Sequence, residues 1–297
     1  MNAKSTARVL VGYDGSPAAG TAIDAAARLL PAAHAWITHM WVPPFANEAM
    51  RRRLWTGNGT LNQFVAAIER EGAAEAGRLT AMGVALARAA GWDPEPLVER
   101  SYGGEGFQFG ELAEKLDPDL AVVGSRGLGG ARAVLGSVSD MIVHYTPRPV
   151  LVVPYPLLTP EWTALETGPV VVAWDSSPGA VRALDAADRL LPGRRVVLVA
   201  VHDGDTPPPA PPGRELVGSR LSGIHLVPSR AVAAALLAEA NRLSAAAVVV
   251  GSRGRAVLPE ILLGSVAMAT LHHSPRPVLV VPAPSPTTPT DPSAEDR

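Results

Sequence analysis

Eight consecutive residues occur twice in this chain: PRPVLVVP at Pro147 to Pro154 and again at Pro275 to Pro282. An identity of that length marks an internal duplication, and a duplicated chain folds as two copies of one unit. Ahead of each copy stands a second shared device. Val122 to Ser137 reads VVGSRGLGGARAVLGS and Val248 to Ser265 reads VVVGSRGRAVLPEILLGS. Each is an apolar β-branched run, a glycine turn, and a segment ending in Gly-Ser. A wholly apolar run of this kind is expected of a parallel strand covered on both faces. Leu258, Ile261, Leu262 and Val266 then follow at near-helical spacing. Strand, turn and helix in this order imply a parallel sheet, and 297 residues suffice for two such domains.

The rest of the chain keeps the same alternation. Arg8 to Tyr13 reads as a buried strand, followed by Asp14-Gly15-Ser16-Pro17, with Ser16 as helix N-cap and Pro17 at the first helical position. Trp36 to Val42 is a second strand, and Leu61 to Gly91 one long helix despite glycines at 72, 77 and 83. Strands at Pro96 to Arg100, Leu120 to Gly124 and Val150 to Val153, with a helix near Glu111 to Leu116 and the motif helix, complete five β-units. Pro169 to Pro178 then repeats the opening strand, acidic residue, N-cap and proline. Asp14 to Asp175 is an offset of 161 and Gly124 to Gly251 one of 127, so the second repeat lacks 34 residues between these points. The loss falls between its second and third strands, where the proline-rich Asp203 to Gly223 leaves no room for a counterpart of the long helix. Part of one sheet face should thereby be uncovered. The boundaries follow: domain one at 1–154, a linker at 155–168, a shortened domain two at 169–282 and a disordered Pro/Thr-rich tail at 283–297. The basic knot Arg51-Arg52-Arg53 reads as solvated surface, with a lid over a ligand as the alternative.

Several classes of function are disfavoured. A net charge of −2 gives no basic footprint for nucleic acid. The absence of cysteine removes thiol chemistry and fits a reducing cytoplasm, and no apolar stretch is long enough to span a membrane, so a soluble cytoplasmic protein is expected. A P-loop needs a lysine after its glycines, but the only lysines are Lys4 and Lys115. YDGSP at 13–17 is not a dinucleotide fingerprint, and Gly136-Ser137-Val138-Ser139-Asp140 lacks the second glycine of a nucleophile elbow. No metal cage is suggested, and no catalytic group is visible. His144 and His272 match across the repeats near the ends of the motif helices, where an imidazole suits the helix dipole, and are assigned to structure.

Binding chemistry has a better claim. In open parallel sheets, ligands sit at the carboxyl ends of strands where the helices change face. Asp14 and Gly124 stand at such ends, as do Asp175 and Gly251. Gly251 and Gly254 would let backbone N–H groups approach a phosphate or ribose without a Cβ between them. Arg126 and Arg253, at matching places inside GSRG, are candidates for charge-assisted phosphate contacts.

GSRG, nine residues, then Gly-Ser resembles the G-x-x-G-x9-G-[ST] nucleotide motif of universal stress proteins, which Gly251 to Ser265 fit without a gap. Eight residues separate Gly127 from Gly136, one short of that spacing. The resemblance covers both repeats. It implies two α/β domains, each an open five-stranded parallel sheet of order 3-2-1-4-5 with helices on both faces. It also implies ATP, accompanied by magnesium, bound as a stress-response signal rather than turned over. Slow ATPase or phosphotransferase activity, or a scaffold with vestigial sites, are the alternatives. Carried over by match, the resemblance implicates Gly12, Asp14, Met40, Gly124, Gly127, Gly136 and Ser137 in repeat one, and Asp175, Val201, Gly251, Gly254, Gly264 and Ser265 in repeat two. Ala173 replaces the glycine found at Gly12, and for either aspartate alone a turn-capping role is the simpler reading. The last strands, Val150 to Val153 and Val278 to Val281, should pair with each other as an intramolecular pseudo-dimer; a homodimer would need a further surface, and any protein partner is unknown.

Overall fold

The computed structural model describes residues 6–43, 52, 60–125, 135–221, 228–252 and 263–283. Its strands are β1 Ala7–Gly12, β2 Ala33–Trp41, β3 Asp93–Arg100, β4 Leu120–Gly124, β5 Val150–Val153, β6 Val170–Ala173, β7 Val196–His202, β8 Glu215–Arg220, β9 Ala247–Gly251 and β10 Val278–Val281. Its helices are α1 Pro17–Leu29, α2 Leu61–Ala89, α3 Glu105–Leu116, α4 Ser137–Tyr145, α5 Thr159–Thr167, α6 Pro178–Leu190, α7 Pro228–Arg242 and α8 Ser265–His273.

The strands make one ten-stranded sheet in the order β3-β2-β1-β4-β5-β10-β9-β6-β7-β8, so each half has the expected 3-2-1-4-5 arrangement. Within a half, neighbours run parallel. The halves join where β10 lies antiparallel to β5, with Leu279 opposite Leu151 and Val278 opposite Val152. All four residues of each joining strand are buried, so the apolar edge of each repeat is covered by the other.

Side chains alternate across the sheet and feed two cores that run through both repeats. Val9, Val11, Leu151, Val172 and Leu279 pack under α1, α2, α5 and α6. Leu10, Val150, Val171, Val248 and Val280 pack under α3, α4, α7 and α8. The repeats correspond closely even in their loops. The residue after α3, Asp117, has φ 51°, and its counterpart 127 positions on, Ser244, has φ 49°.

Two expectations change. The presumed linker contains α5, whose Leu165 is fully buried. Its prolines and lack of sustained periodicity hide it in the sequence, yet it is tied down. The Arg194 guanidinium donates to the carbonyls of Leu165 at 2.6 Å, Arg28 at 3.0 Å and Gly168 at 3.4 Å, and its partial burial pulls its pKa below the ordinary arginine value. Nor does the shortened second repeat leave bare the face that α2 covers in the first. In repeat one Gly83 of α2 lies so close to Tyr13 that a Cβ there would stand 2.9 Å from the Tyr13 Cδ1. In repeat two the equivalent residue is Trp174, only 5% exposed, whose indole Nε1 donates to the Pro209 carbonyl at 2.9 Å. A larger ring and a proline-rich segment take the place of a helix.

Candidate functional site

The starts of α1 and α6 are built alike. The Asp14 Oδ1 accepts from the Ser16 N–H at 2.9 Å and the Asp175 Oδ1 from the Ser177 N–H at 3.0 Å. The Ser16 and Ser177 hydroxyl oxygens in turn accept from Ala19 and Ala180, each at 3.2 Å, capping the helices. Each aspartate therefore closes an Asx turn, as its sequence context allows, while also standing at a strand end. Burial, and secondarily the Asp14 carboxylate, push the Tyr13 phenol above its ordinary pKa.

In repeat two, Asp175, Val201, Gly251, Gly264 and Ser265 line one cavity of about 470 Å³ at the carboxyl ends of β6, β7 and β9. These five residues come from three separate parts of the chain, the ends of β6 and β7 and the β9–α8 connection, and the fold brings them together. One wall is apolar, from Ala173, Val199, Val232 and Leu236. The first turn of α8 also lines the cavity, where Ser265, Val266 and Ala267 present backbone N–H groups that a helix cannot pair internally. No acidic residue occupies that turn, so the positive end of the helix dipole is left for an anion. Gly264, the N-cap, has φ −69° and ψ 153°, a conformation open to any residue.

Gly251 is required for another reason than the sequence suggests. A Cβ on it would lie 2.6 Å from the Gly179 carbonyl oxygen, and one on Gly124 would lie 2.9 Å from that of Ala18. Both glycines let the start of a helix pack on the end of a strand, whatever else they admit. Ser252, within GSRG, is buried and accepts from the Ala283 N–H at 2.9 Å, which anchors the chain leaving β10. Arg126, Gly127, Arg253 and Gly254 lie outside the described residues, as do most of the basic knot and the tail after residue 283.

Repeat one places Gly12, Asp14, Gly124, Gly136 and Ser137 at the corresponding strand and helix ends, with Met40 near the end of β2. The two matched histidines have local partners: His144 Nδ1 lies 2.8 Å from the Asp140 carbonyl oxygen and His272 Nε2 lies 3.1 Å from the Met268 Sδ. Sequence reasoning missed Trp174, His202 and Leu236 as cavity-lining residues. The signal for His202 was available, since it directly follows Val201 at a strand end. Leu236 gave none, being one apolar residue in an alanine-rich helix.

The model of the "Universal stress protein family" matches residues 6–154 and 223–282. The strands between, β6 to β8, fall outside that match, yet they repeat the pairing of β1 to β3. The universal stress protein Rv1996 of Mycobacterium tuberculosis is 30% identical over 93% of this chain and 95% of its own length. A universal stress protein of Mycolicibacterium smegmatis is 36% identical over 54% of this chain and 61% of its own length, so that alignment spans under two thirds of the relative. A solved universal stress protein from Archaeoglobus fulgidus covers 94% of this chain and 97% of its own at 19% identity and a TM-score of 0.63, a likeness of fold. The chain belongs to the universal stress protein family.

Proposed function

We propose that this chain binds ATP, with magnesium accompanying the nucleotide, in the repeat-two cavity and acts as a nucleotide-dependent regulator of the stress response rather than as an enzyme. The observation that carries this reading is the convergence of Asp175, Val201, Gly251, Gly264 and Ser265 on one cavity of about 470 Å³. That volume lies within the roughly 300–1,000 Å³ range of small-molecule sites. The apolar wall suits a purine, and the α8 first turn with the Ser265 hydroxyl suits phosphates. No catalytic role is assigned to Asp175, whose Oδ1 is engaged by the Ser177 N–H.

Mass spectrometry of nucleotide released from the purified protein, followed by calorimetry with ATP and GTP, tests the reading. Ser265→Glu is the informative variant, because an acidic residue in the first helical turn favours the helix while placing a carboxylate against phosphates. ATP affinity should fall at least about tenfold, or roughly 1.4 kcal/mol. Unchanged affinity, or no nucleotide bound by the wild type, would overturn the proposal; steady release of phosphate from ATP would favour an enzyme.

A further inference from the structure

The duplicated crevices are not equivalent. Around Gly12, the space for a Cβ is bounded by Val123 Cγ1 at 3.2 Å, Phe109 Cε2 at 3.5 Å and Ile142 Cδ1 at 4.0 Å. The repeat-two counterparts of Gly12, Val123 and Phe109 are Ala173, Val250 and Leu236, and these face the open cavity. Phe109 and Leu236 are both almost fully buried, at 2% and 1% exposure, but the larger phenyl ring reaches the Gly12 side of the crevice, whereas Leu236 lines the cavity. Further along, the Ser139 hydroxyl donates to the Gly124 carbonyl at 2.7 Å, drawing the start of α4 onto the end of β4. Ala267 stands at that position in repeat two and lines the cavity instead. Finally, the first turn of α4 already holds a carboxylate, Asp140, where α8 has Met268 and no acidic residue. Gly124 is buried, whereas Gly251 retains exposure.

We propose that the chain takes one nucleotide, in repeat two, and that in repeat one Phe109, Ser139 and Asp140 close the matching crevice against a nucleoside triphosphate. Phe109 fills the base side, Ser139 narrows the gap between strand and helix, and Asp140 supplies at the helix start the negative charge that phosphates would otherwise bring. This rests on the nucleotide reading above and adds to it the residues that decide which copy of the site is usable.

Equilibrium binding of magnesium-ATP to the full chain tests it. The wild type should bind one equivalent, and Ser265→Glu should lose it. The triple variant Phe109→Leu, Ser139→Ala, Asp140→Met, which gives repeat one the residues of repeat two, should bind two equivalents. With Ser265→Glu added, the triple variant should retain one. The converse graft, Leu236→Phe with Met268→Asp, should weaken the wild-type equivalent more than tenfold without changing the circular dichroism, and it reports even if the triple variant does not fold. Two equivalents on the wild type, one equivalent surviving Ser265→Glu, or a folded triple variant still binding one would each overturn the assignment while leaving nucleotide binding intact. Binding by neither wild type nor triple variant would instead defeat the nucleotide reading itself.

Discussion

A Cβ added to Gly251 would stand 2.6 Å from the carbonyl oxygen of Gly179, a separation that real Cβ atoms essentially never show. The obstacle is backbone at the start of α6, so relief requires moving a helix. Gly251→Ala should therefore destabilise the fold by about 1–3 kcal/mol, the usual scale for overpacking a well-filled site. Gly124→Ala, with Ala18 at 2.9 Å, should do the same in repeat one. Urea denaturation reads both, and wild-type midpoints would show that the helix and strand do not need the glycine.

The seam between the repeats makes a second prediction. Leu279 is 1% exposed and faces Leu151 in the antiparallel β5–β10 pair. Leu279→Lys should cost at least the ~2–5 kcal/mol of a buried leucine truncation, since the ammonium must also be desolvated or escape. Denaturation and small-angle scattering would register loosened repeats; a variant as stable and compact as the wild type would mean that the strands do not hold the halves together.

Trp174→Phe isolates the device that replaces the long helix in repeat two. The change removes one indole N–H and leaves the Pro209 carbonyl without that donor. A loss of about 1 kcal/mol is expected, as for a typical hydrogen bond. No loss at all would place the covering of this face in apolar contact alone.

Adjacent arginines offer an internal control. Arg194 donates to three carbonyls that terminate α1 and α5, whereas Arg195 pairs with Glu215 at an exposed edge, its side chain 58% accessible. Arg194→Met should cost about 1.5–3 kcal/mol, the range for hydrogen bonds to a charged group, and Arg195→Met should leave the melting temperature unchanged, because exposed pairs contribute little. Equal effects would contradict this ranking.

What could be read from the sequence depended on how fully each element is enclosed. β4 and β5 lie where the apolar runs Leu120 to Gly124 and Val150 to Val153 place them, because strands covered on both faces need no polar positions. β8, reading ELVGSR, is an edge strand with alternating exposure and was lost within a proline-rich stretch. α5 shows no useful periodicity because only Ala164 and Leu165 are buried. Gly83 weakens α2 on propensity, yet it is what lets the helix lie against Tyr13 and Ile37. At the site, the strand-end rule pointed to Asp175 and Gly251, and the family resemblance added Val201; all three line the repeat-two cavity. The helix-against-strand reason for Gly251 was not readable, because nothing local in the sequence announces that Gly179 will touch it.

Because β10 runs against β5, the carboxyl ends of β1 and β4 point to one end of the sheet and those of β6 and β9 to the other. The molecule thus has two poles, each carrying one of the duplicated crevices. A flat partner resting on one pole meets only the crevice there. Any influence of an occupied crevice on the opposite pole has to travel along the strands or through the helices beside them, across the β5–β10 seam.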